Sequence, residues 1–227
     1  MSKYRHEYKY LLDAREEAYL RIRAAGLMQR DTHAQEGGEY EIRSLYFDDL
    51  YNTCANENEN GTDPRSKFRI RYYGHEPSYI RLEKKSKTRG MTLKESCRLT
   101  MDECQSMMRG QLPLITEAME PKKQQLLVEM QLRGLQPKVI VTSDREPFVD
   151  PVGNVRVTFD KHLASSPEVG CFLDADFLKR PVLPAGTCIL EVKWDELIPL
   201  HIKEAFQTDH LQWTAFSKYF MCRKYTL

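Results

Sequence analysis

The sequence predicts an α+β fold in which antiparallel strands close into a barrel and helices flank that barrel. Three observations predict it. Segments of alternating apolar and polar residues follow one another along the chain, with few helical patterns between them. The polar positions of these segments are strongly basic, although 34 Lys and Arg balance 33 Asp and Glu overall. Finally, the strands are too many for one open sheet beside so few helices, and closure removes exposed sheet edges.

Composition predicts a single domain that spans residues 1–227, because no repeat, low-complexity linker or composition shift divides the chain. The near-zero net charge gives no reason to expect a nucleic-acid partner. No apolar run approaches the ~18 residues of a membrane span, so we expect no direct membrane insertion. Six cysteines without a CxxC pair predict reduced thiols in the cytoplasm rather than a zinc site.

The N-terminal third alternates strands with short helices. Residues 4–11 form a predicted strand, and Asp13 with Glu16 has the pattern of a capping box for a helix that stops at Gly26. A polar loop leads to a second strand at 41–49. The polar segment that follows predicts a helical turn and then a mobile loop.

The stretch from Ser66 to Arg98 predicts three consecutive strands whose polar positions are mostly basic. Its breaks fall at Gly74–Pro77 and at Thr88–Gly90. The rest of the chain predicts helices and strands around an irregular region at 164–186. The predicted helices are 102–109, 121–133, 199–206 and 211–225, and the predicted strands are 138–148, 154–163 and 187–195.

The polar faces of six strands together carry twelve bases against five acids. One interpretation is a half-buried sheet with a solvated charged face. However, clustered like charge opposes folding unless something neutralises it, so we favour a face that is enclosed by the barrel. A basic interior with a few carboxylates suits polyphosphate and a divalent cation. The bases are Arg5, Lys9, Lys67, Arg69, Arg71, Arg81, Lys85, Lys87, Lys94, Arg98, Arg156 and Lys193, and the acids are Glu7, Glu83, Asp160, Glu191 and Asp195.

Nine motifs in the same order also resemble a known family, the VTC domain. This is the polyphosphate polymerase domain of the vacuolar transporter chaperone complex and its bacterial relatives, and it belongs to the triphosphate tunnel metalloenzymes related to the CYTH group. The resemblance runs from Arg5 to about Tyr219. The motifs are RHEYKY (5–10), SLYFDD (44–49), KFRIRYYG (67–74), RLEKKSK (81–87), LKES (93–96), SDREPF (143–148), VRVTFDKHL (155–163), ILEVKWD (189–195) and FSKYF (216–220).

The resemblance implies a closed, eight-stranded antiparallel tunnel that transfers the γ-phosphate of ATP to a growing polyphosphate chain and needs Mn²⁺ or Mg²⁺. It implies Glu191 as metal ligand and Ser217 as a phosphate contact. We expect Arg5 and Lys87, on the same basic face, to assist substrate binding. Lys84 competes with Lys85 for one family position, and the face shared with Arg81 and Glu83 favours Lys85. The implied phosphate-binding residues are Lys9, Arg69, Arg71, Lys85, Lys94, Arg145, Arg156 and Lys218.

Several alternatives stay open at this point. A triphosphate or nucleoside triphosphate hydrolase needs the same basic residues, and a non-catalytic polyphosphate-binding module needs no turnover. Glu7 is a weaker metal candidate, and Asp160 is expected to pair with a base. Asp48 and Asp49 are adjacent and point to opposite faces, which argues against a metal pair. The sequence shows neither the regulatory domain nor the membrane segment of larger family members, so any membrane coupling requires a separate partner.

Overall fold

A strongly curled antiparallel sheet organises the protein, whose computed structural model describes residues 5–31, 38–206 and 211–224. Within these residues the strand order is β1-β10-β8-β7-β3-β4-β5-β6, while β2 pairs with β7 and β9 with β8. Eight strands therefore follow one path around the cavity described below. The strands are β1 (His6–Leu12), β2 (Gln29–Arg30), β3 (Tyr40–Asp48), β4 (Arg65–Tyr73), β5 (Ile80–Thr88), β6 (Met91–Leu99), β7 (Gln136–Asp150), β8 (Val155–Ser166), β9 (Arg180–Pro181) and β10 (Cys188–Trp194).

Helices flank the sheet, as predicted. The capping box of Asp13 and Glu16 is present, although α1 continues through Gly26. Within the described part of the chain, no helix has the length and hydropathy needed to cross a membrane. All six cysteines are free, and five of them are buried. The helices are α1 (Ala14–Leu27), α2 (Thr53–Glu59), α3 (Met101–Met108), α4 (Pro121–Leu132), α5 (Leu200–Phe206) and α6 (Lys218–Lys224).

The predicted C-terminal helix at 211–225 is wrong over its first half. Helix α6 begins only at Lys218, and residues 211–217 contain no regular element. The backbone N–H of Thr214 donates to the carbonyl of Lys9 in β1 at 2.9 Å. In a helix, the N–H of Thr214 would instead donate to a carbonyl of the same helix. Tyr4, the first residue of the predicted strand at 4–11, and Tyr225, the last residue of the predicted helix at 211–225, lie outside the described residues.

The prediction of a closed barrel is also wrong, because the sheet is an open half-barrel. Its two edge strands, β1 and β6, meet through an isolated bridge between Arg5 and Thr92, with backbone N···O distances of 3.1 and 3.3 Å. Further along the same edge of β1, the carbonyl of Lys9 is taken by Thr214. The C-terminal segment thus occupies edge positions that a complete β1–β6 ladder would use.

The period-two alternation of the strands separates an apolar face from a charged face. On β4, Phe68, Ile70 and Tyr72 are fully buried under α3 and α4, whereas Arg69 and Arg71 lie on the concave face. A second cluster packs the outer faces of β1, β8 and β10 against α1 and α5. A third joins β3 and β7 to α6 next to the cavity.

Asp48 connects the two short helices that border the concave face. Its fully buried carboxylate accepts the N–H groups of Cys54 and Ala55 in α2, at 2.8 and 3.0 Å, and the hydroxyl of Tyr219 in α6, at 2.5 Å. Asp49 accepts the N–H of Thr53 at 2.9 Å. The two aspartates are therefore helix anchors, which agrees with the expectation that they are not a metal pair.

This anchor predicts the effect of two substitutions. Asp48→Asn places an amide N–H against backbone donors and is expected to lower the free energy of unfolding by about 1–3 kcal/mol. Tyr219→Phe removes one hydrogen bond and is expected to cost about 0.5–1.5 kcal/mol. Urea denaturation measures both, and equal midpoints for wild type and Asp48→Asn would contradict the anchoring role.

Candidate active site

The concave face of the half-barrel holds a cavity of about 150 Å³ with a strongly basic lining. Among the described residues, ten bases and two carboxylates line it, and they come from β1, β4, β5, β7, β10 and α6. An excess of this size on one enclosed surface favours a polyanionic ligand. The bases are Lys9, Arg65, Lys67, Arg69, Arg71, Lys85, Lys87, Arg145, Lys193 and Lys218, and the carboxylates are Glu7 and Glu191.

Most of the residues singled out in the sequence reach this cavity. Arg5 does not, because Asp195 holds its guanidinium at 2.6 Å. Arg156 pairs with Asp31 at 3.0 Å and also lies outside the lining. Lys94, whose side chain is 43% exposed and pairs with Glu83, is also absent from the lining. The residues that do line the cavity are Lys9, Arg69, Arg71, Lys85, Lys87, Arg145, Glu191, Ser217 and Lys218.

Glu83 is a buried carboxylate around which three of the predicted bases gather. It is 1% exposed, and it forms ion pairs with Arg69 at 2.8 Å, Arg71 at 4.0 Å and Lys94. Burial alone would raise the pKa of Glu83, but the three cations outweigh burial and hold that pKa far below its ordinary value. Glu83 therefore stays ionised and fixes the positions of these bases.

Glu191, the predicted metal ligand, lies at the centre of a second charged network. Its carboxylate oxygens lie 2.5 Å from Lys193, 3.3 Å from Arg145, 3.4 Å from Lys9 and 3.8 Å from Lys218. Burial opposes ionisation of Glu191, but these four bases hold its pKa well below the ordinary range. The network presents several cations around one carboxylate at the cavity wall.

Two further carboxylates extend this network. The two oxygens of Asp160 accept hydrogen bonds from Nε and Nη2 of Arg145, each at 2.6 Å, and Asp160 also contacts Lys218, so the expected pairing with a base occurs. On the other side, Glu7 lies 2.6 Å from Lys85 and 3.5 Å from Lys9. Carboxylates thus set the orientation of both arginine and lysine side chains before any ligand binds.

The donor set can be tested for a divalent cation. In the described part of the chain, no group of three or more His, Cys, Asp or Glu residues is placed to hold a metal. Glu7 and Glu191 nevertheless line one cavity, and Oε1 of the buried Glu7 carboxylate accepts no hydrogen bond. Mg²⁺ commonly binds through one or two carboxylates and substrate phosphates. The residues therefore fit Mg²⁺ or Mn²⁺ shared with a phosphate ligand.

Some residues of the lining were not among the predicted site residues. The alternation places Lys67 and Lys193 on the basic face, but neither was predicted to bind substrate or metal. Arg65 lies just before the predicted strand boundary at Ser66. The wall formed by 213–216 was missed because a helix was predicted there.

The choice of Lys85 over Lys84 agrees with the geometry. Lys85 lines the cavity, whereas Lys84 contacts Glu129 of α4 at 2.5 Å on the opposite face of β5. A one-residue difference along a strand reverses the side on which a side chain lies.

Solved structures share the curled antiparallel sheet of this protein. A candidate adenylyl cyclase from Hippeastrum, described as having a dominant triphosphatase activity, is 15% identical (99% of this chain, 97% of that chain, TM-score 0.54). A candidate adenylate cyclase from Bacillus halodurans is 14% identical (91% and 87%, TM-score 0.53). A protein from Pyrococcus horikoshii OT3 is 10% identical (98% and 99%, TM-score 0.50). At such identities the likeness concerns the fold alone.

The family is shown by sequence. The model of the VTC domain matches residues 4–227, and the chain belongs to the VTC domain family. The resemblance drawn from the nine motifs is therefore confirmed. Comparison with curated proteins gives no match.

The Glu83 cluster predicts a coupled effect on stability. Arg69→Ala leaves a buried carboxylate with weaker compensation and is expected to lower the free energy of unfolding by about 1–3 kcal/mol. Adding Glu83→Gln should recover part of that loss, with an interaction energy of about 0.5–3 kcal/mol in a double-mutant cycle. Chemical denaturation measures it, and strict additivity would contradict the pairing. As a control, Lys122→Ala removes a half-exposed pair with Glu95 and should cost less than about 1 kcal/mol.

Tyr73 predicts an optical signal of cavity occupancy. Its ring lies 5.9 Å from the Arg71 guanidinium. Burial raises the pKa of Tyr73, but Arg71, Lys94 and Arg69 outweigh burial and lower it to about 8. A bound phosphate would neutralise these cations, so the pKa should rise towards its ordinary value near 10. Spectrophotometric titration of phenolate with and without tripolyphosphate tests this. A wild-type titration near pH 8 that persists in Tyr73→Phe would contradict it.

Proposed function

We propose that this protein is a polyphosphate polymerase, which transfers the γ-phosphoryl group of ATP to the end of an inorganic polyphosphate chain. The observation that carries the proposal is the cavity in which, among described residues, ten bases face two carboxylates. Membership of the VTC domain family supports the choice of substrate. The chain is proposed to act as one domain in the cytoplasm, with no nucleic-acid partner and with any membrane contact made through a separate protein.

The reaction requires no protein nucleophile. A terminal oxygen of the acceptor chain attacks the γ-phosphorus of ATP, and a new phosphoanhydride bond forms. The bond between the γ-phosphorus and the oxygen that bridges to the β-phosphate breaks, and ADP leaves with that electron pair. In such a transfer the protein contributes positioning and charge stabilisation.

The cavity bases divide this task by their chemistry. Arginine offers planar, two-pronged contacts that orient phosphate oxygens, and lysine supplies point charges. Ser217 adds a hydroxyl at the cavity wall. The proposed orienting residues are Arg69, Arg71 and Arg145, and the proposed point charges are Lys9, Lys85 and Lys218, with further phosphate contacts proposed for Lys94, Arg5, Lys87 and Arg156.

Glu191, with Glu7 beside it, is proposed to hold Mn²⁺ or Mg²⁺. When bound, the cation supplies charge neutralisation at the phosphate oxygens. The protein's own part is to keep both carboxylates ionised, and the surrounding lysines do this by holding the pKa of each carboxyl low.

A triphosphate or nucleoside triphosphate hydrolase is the second candidate. One observation favours it: the structurally similar Hippeastrum protein is described as a triphosphatase. Water would then replace the acceptor phosphate in the same cavity. A non-catalytic polyphosphate-binding module is the outcome expected if the cavity binds but does not react.

Incubation of the purified protein with ATP and Mn²⁺ separates these functions. A polymerase gives ADP and long polyphosphate on a gel. Free phosphate without polymer would favour the hydrolase and overturn the proposal. Tight, salt-dependent polyphosphate binding without ATP turnover would indicate the binding module.

Glu191→Gln tests the metal assignment in the same assay. We expect metal-dependent turnover to fall by at least about 10- to 100-fold, the range lost when a residue supporting a metal site is removed. Glu129→Gln is the matched control, because Glu129 pairs with Lys84 on the outer face and should leave turnover unchanged. An unaltered Mn²⁺ dependence in Glu191→Gln would remove this residue from the site.

A further inference from the structure

The bases of the cavity differ in their counter-charges. Seven of the ten have a carboxylate oxygen within 4.0 Å, supplied by Glu7, Glu83, Asp160 or Glu191. Within the residues that the structure describes, the other three form no ion pair at all. These three bases are Arg65, Lys67 and Lys87.

The three unpaired bases are neighbours in the sheet. Arg65 of β4 lies directly opposite Lys87 of β5, and Lys67 follows Arg65 on the same face of β4. Like charges directly opposite each other destabilise an antiparallel pair. These three like charges therefore destabilise the folded protein unless a bound anion neutralises them.

Of the three bases, Lys67 most clearly lacks a counter-charge. Its ammonium contacts two neutral groups, the side-chain oxygen of Asn58 at 2.5 Å and the hydroxyl of Ser217 at 2.6 Å. Burial, followed by the charges of Lys9, Lys85 and Arg65, lowers the pKa of Lys67 well below its ordinary value. The side chain of Lys67 is half-buried, and an ammonium that is partly removed from water is normally paired in proteins.

The surroundings of Lys67 supply little opposing charge. Cys54 of α2 is the group nearby that favours the ammonium, and burial raises the pKa of that thiol to about 12. The ring of Tyr219 in α6 lies 6.0 Å away. The counter-charge for this corner is therefore best provided by a ligand.

We propose that Arg65, Lys67 and Lys87 form a distinct outer subsite, which binds phosphoryl groups of an inorganic polyphosphate chain beyond the first three. The proposal rests on the proposed function, because it adds a chain-length preference to the same cavity. The seven paired bases give up contacts with carboxylates when they hold a triphosphate. The outer subsite breaks no ion pair, so each additional phosphoryl group there adds affinity at little cost.

Binding of two inorganic ligands tests this subsite without turnover. Tripolyphosphate and long-chain polyphosphate are titrated calorimetrically into wild type and into the triple variant Arg65→Ala, Lys67→Met, Lys87→Ala, over a range of salt. We expect long-chain affinity to fall at least about tenfold and the slope of log affinity against log salt to fall by about 2, since each contact contributes about 0.7. Tripolyphosphate affinity should change by less than about threefold.

The matched control removes three positive charges that lie away from the cavity. It is the triple variant Lys84→Met, Lys122→Met, Lys123→Met, whose lysines pair with Glu129, Glu95 and Glu103. This control should bind long chains as wild type does and should melt at a lower temperature. The outer-subsite variant, which relieves repulsion, should melt at a higher temperature than wild type without ligand.

Three results would overturn the outer subsite: an equal loss for both ligands, no loss for either, or a lower melting temperature of the outer-subsite variant. The outcome is separable from that of the proposed function. A wild type that makes no polymer but shows the expected chain-length effect removes the polymerase and keeps the subsite. A wild type that makes polymer without this effect keeps the polymerase and removes the subsite.

Discussion

Neutralisation of like charge on one enclosed face is the constraint on which the rest of this structure depends. Ten cavity bases among the described residues would repel one another in a poorly hydrated space. Buried carboxylates, chiefly Glu83, Asp160 and Glu191, offset much of that repulsion and hold arginine and lysine side chains in defined positions. The same ion pairs that allow the protein to fold therefore organise the site before a ligand arrives.

The outer architecture follows from the opposite face of the same strands. Because alternate residues point away from the cavity, the convex face is apolar and must be covered by helices. The concave side is completed by α6 and the preceding segment, which Asp48 ties to α2 through Tyr219. As a result Ser217 and Lys218, at the start of α6, stand at the cavity wall. The contacts that fix α6 in the fold therefore also place Ser217 and Lys218 at the cavity.

The sequence predicted what depends on local pattern and missed what depends on distant contacts. Strands β4 to β6 were predicted within a few residues, because alternation is a property of neighbouring positions. The role of Glu83 as a shared counter-ion was not predicted, since its partners come from two other strands, β4 and β6. The predictions of a helix from 211 and of a closed barrel were both wrong where the backbone of Thr214 bonds to that of Lys9. The residue pattern of the C-terminal segment gives no sign of this long-range contact.

The isolated bridge between Arg5 and Thr92 gives the cavity a seam. Thr92 itself belongs to the lining, so the seam reaches the ligand space. In a continuous barrel the circumference is set by complete hydrogen-bonded ladders, and widening it would break a whole row of bonds. Here the two backbone hydrogen bonds of the bridge and the ion pair between Glu7 of β1 and Lys85 of β5 hold the two sides of the seam together. The width of the cavity along this seam is therefore set by a few discrete contacts and not by a continuous ladder of backbone hydrogen bonds.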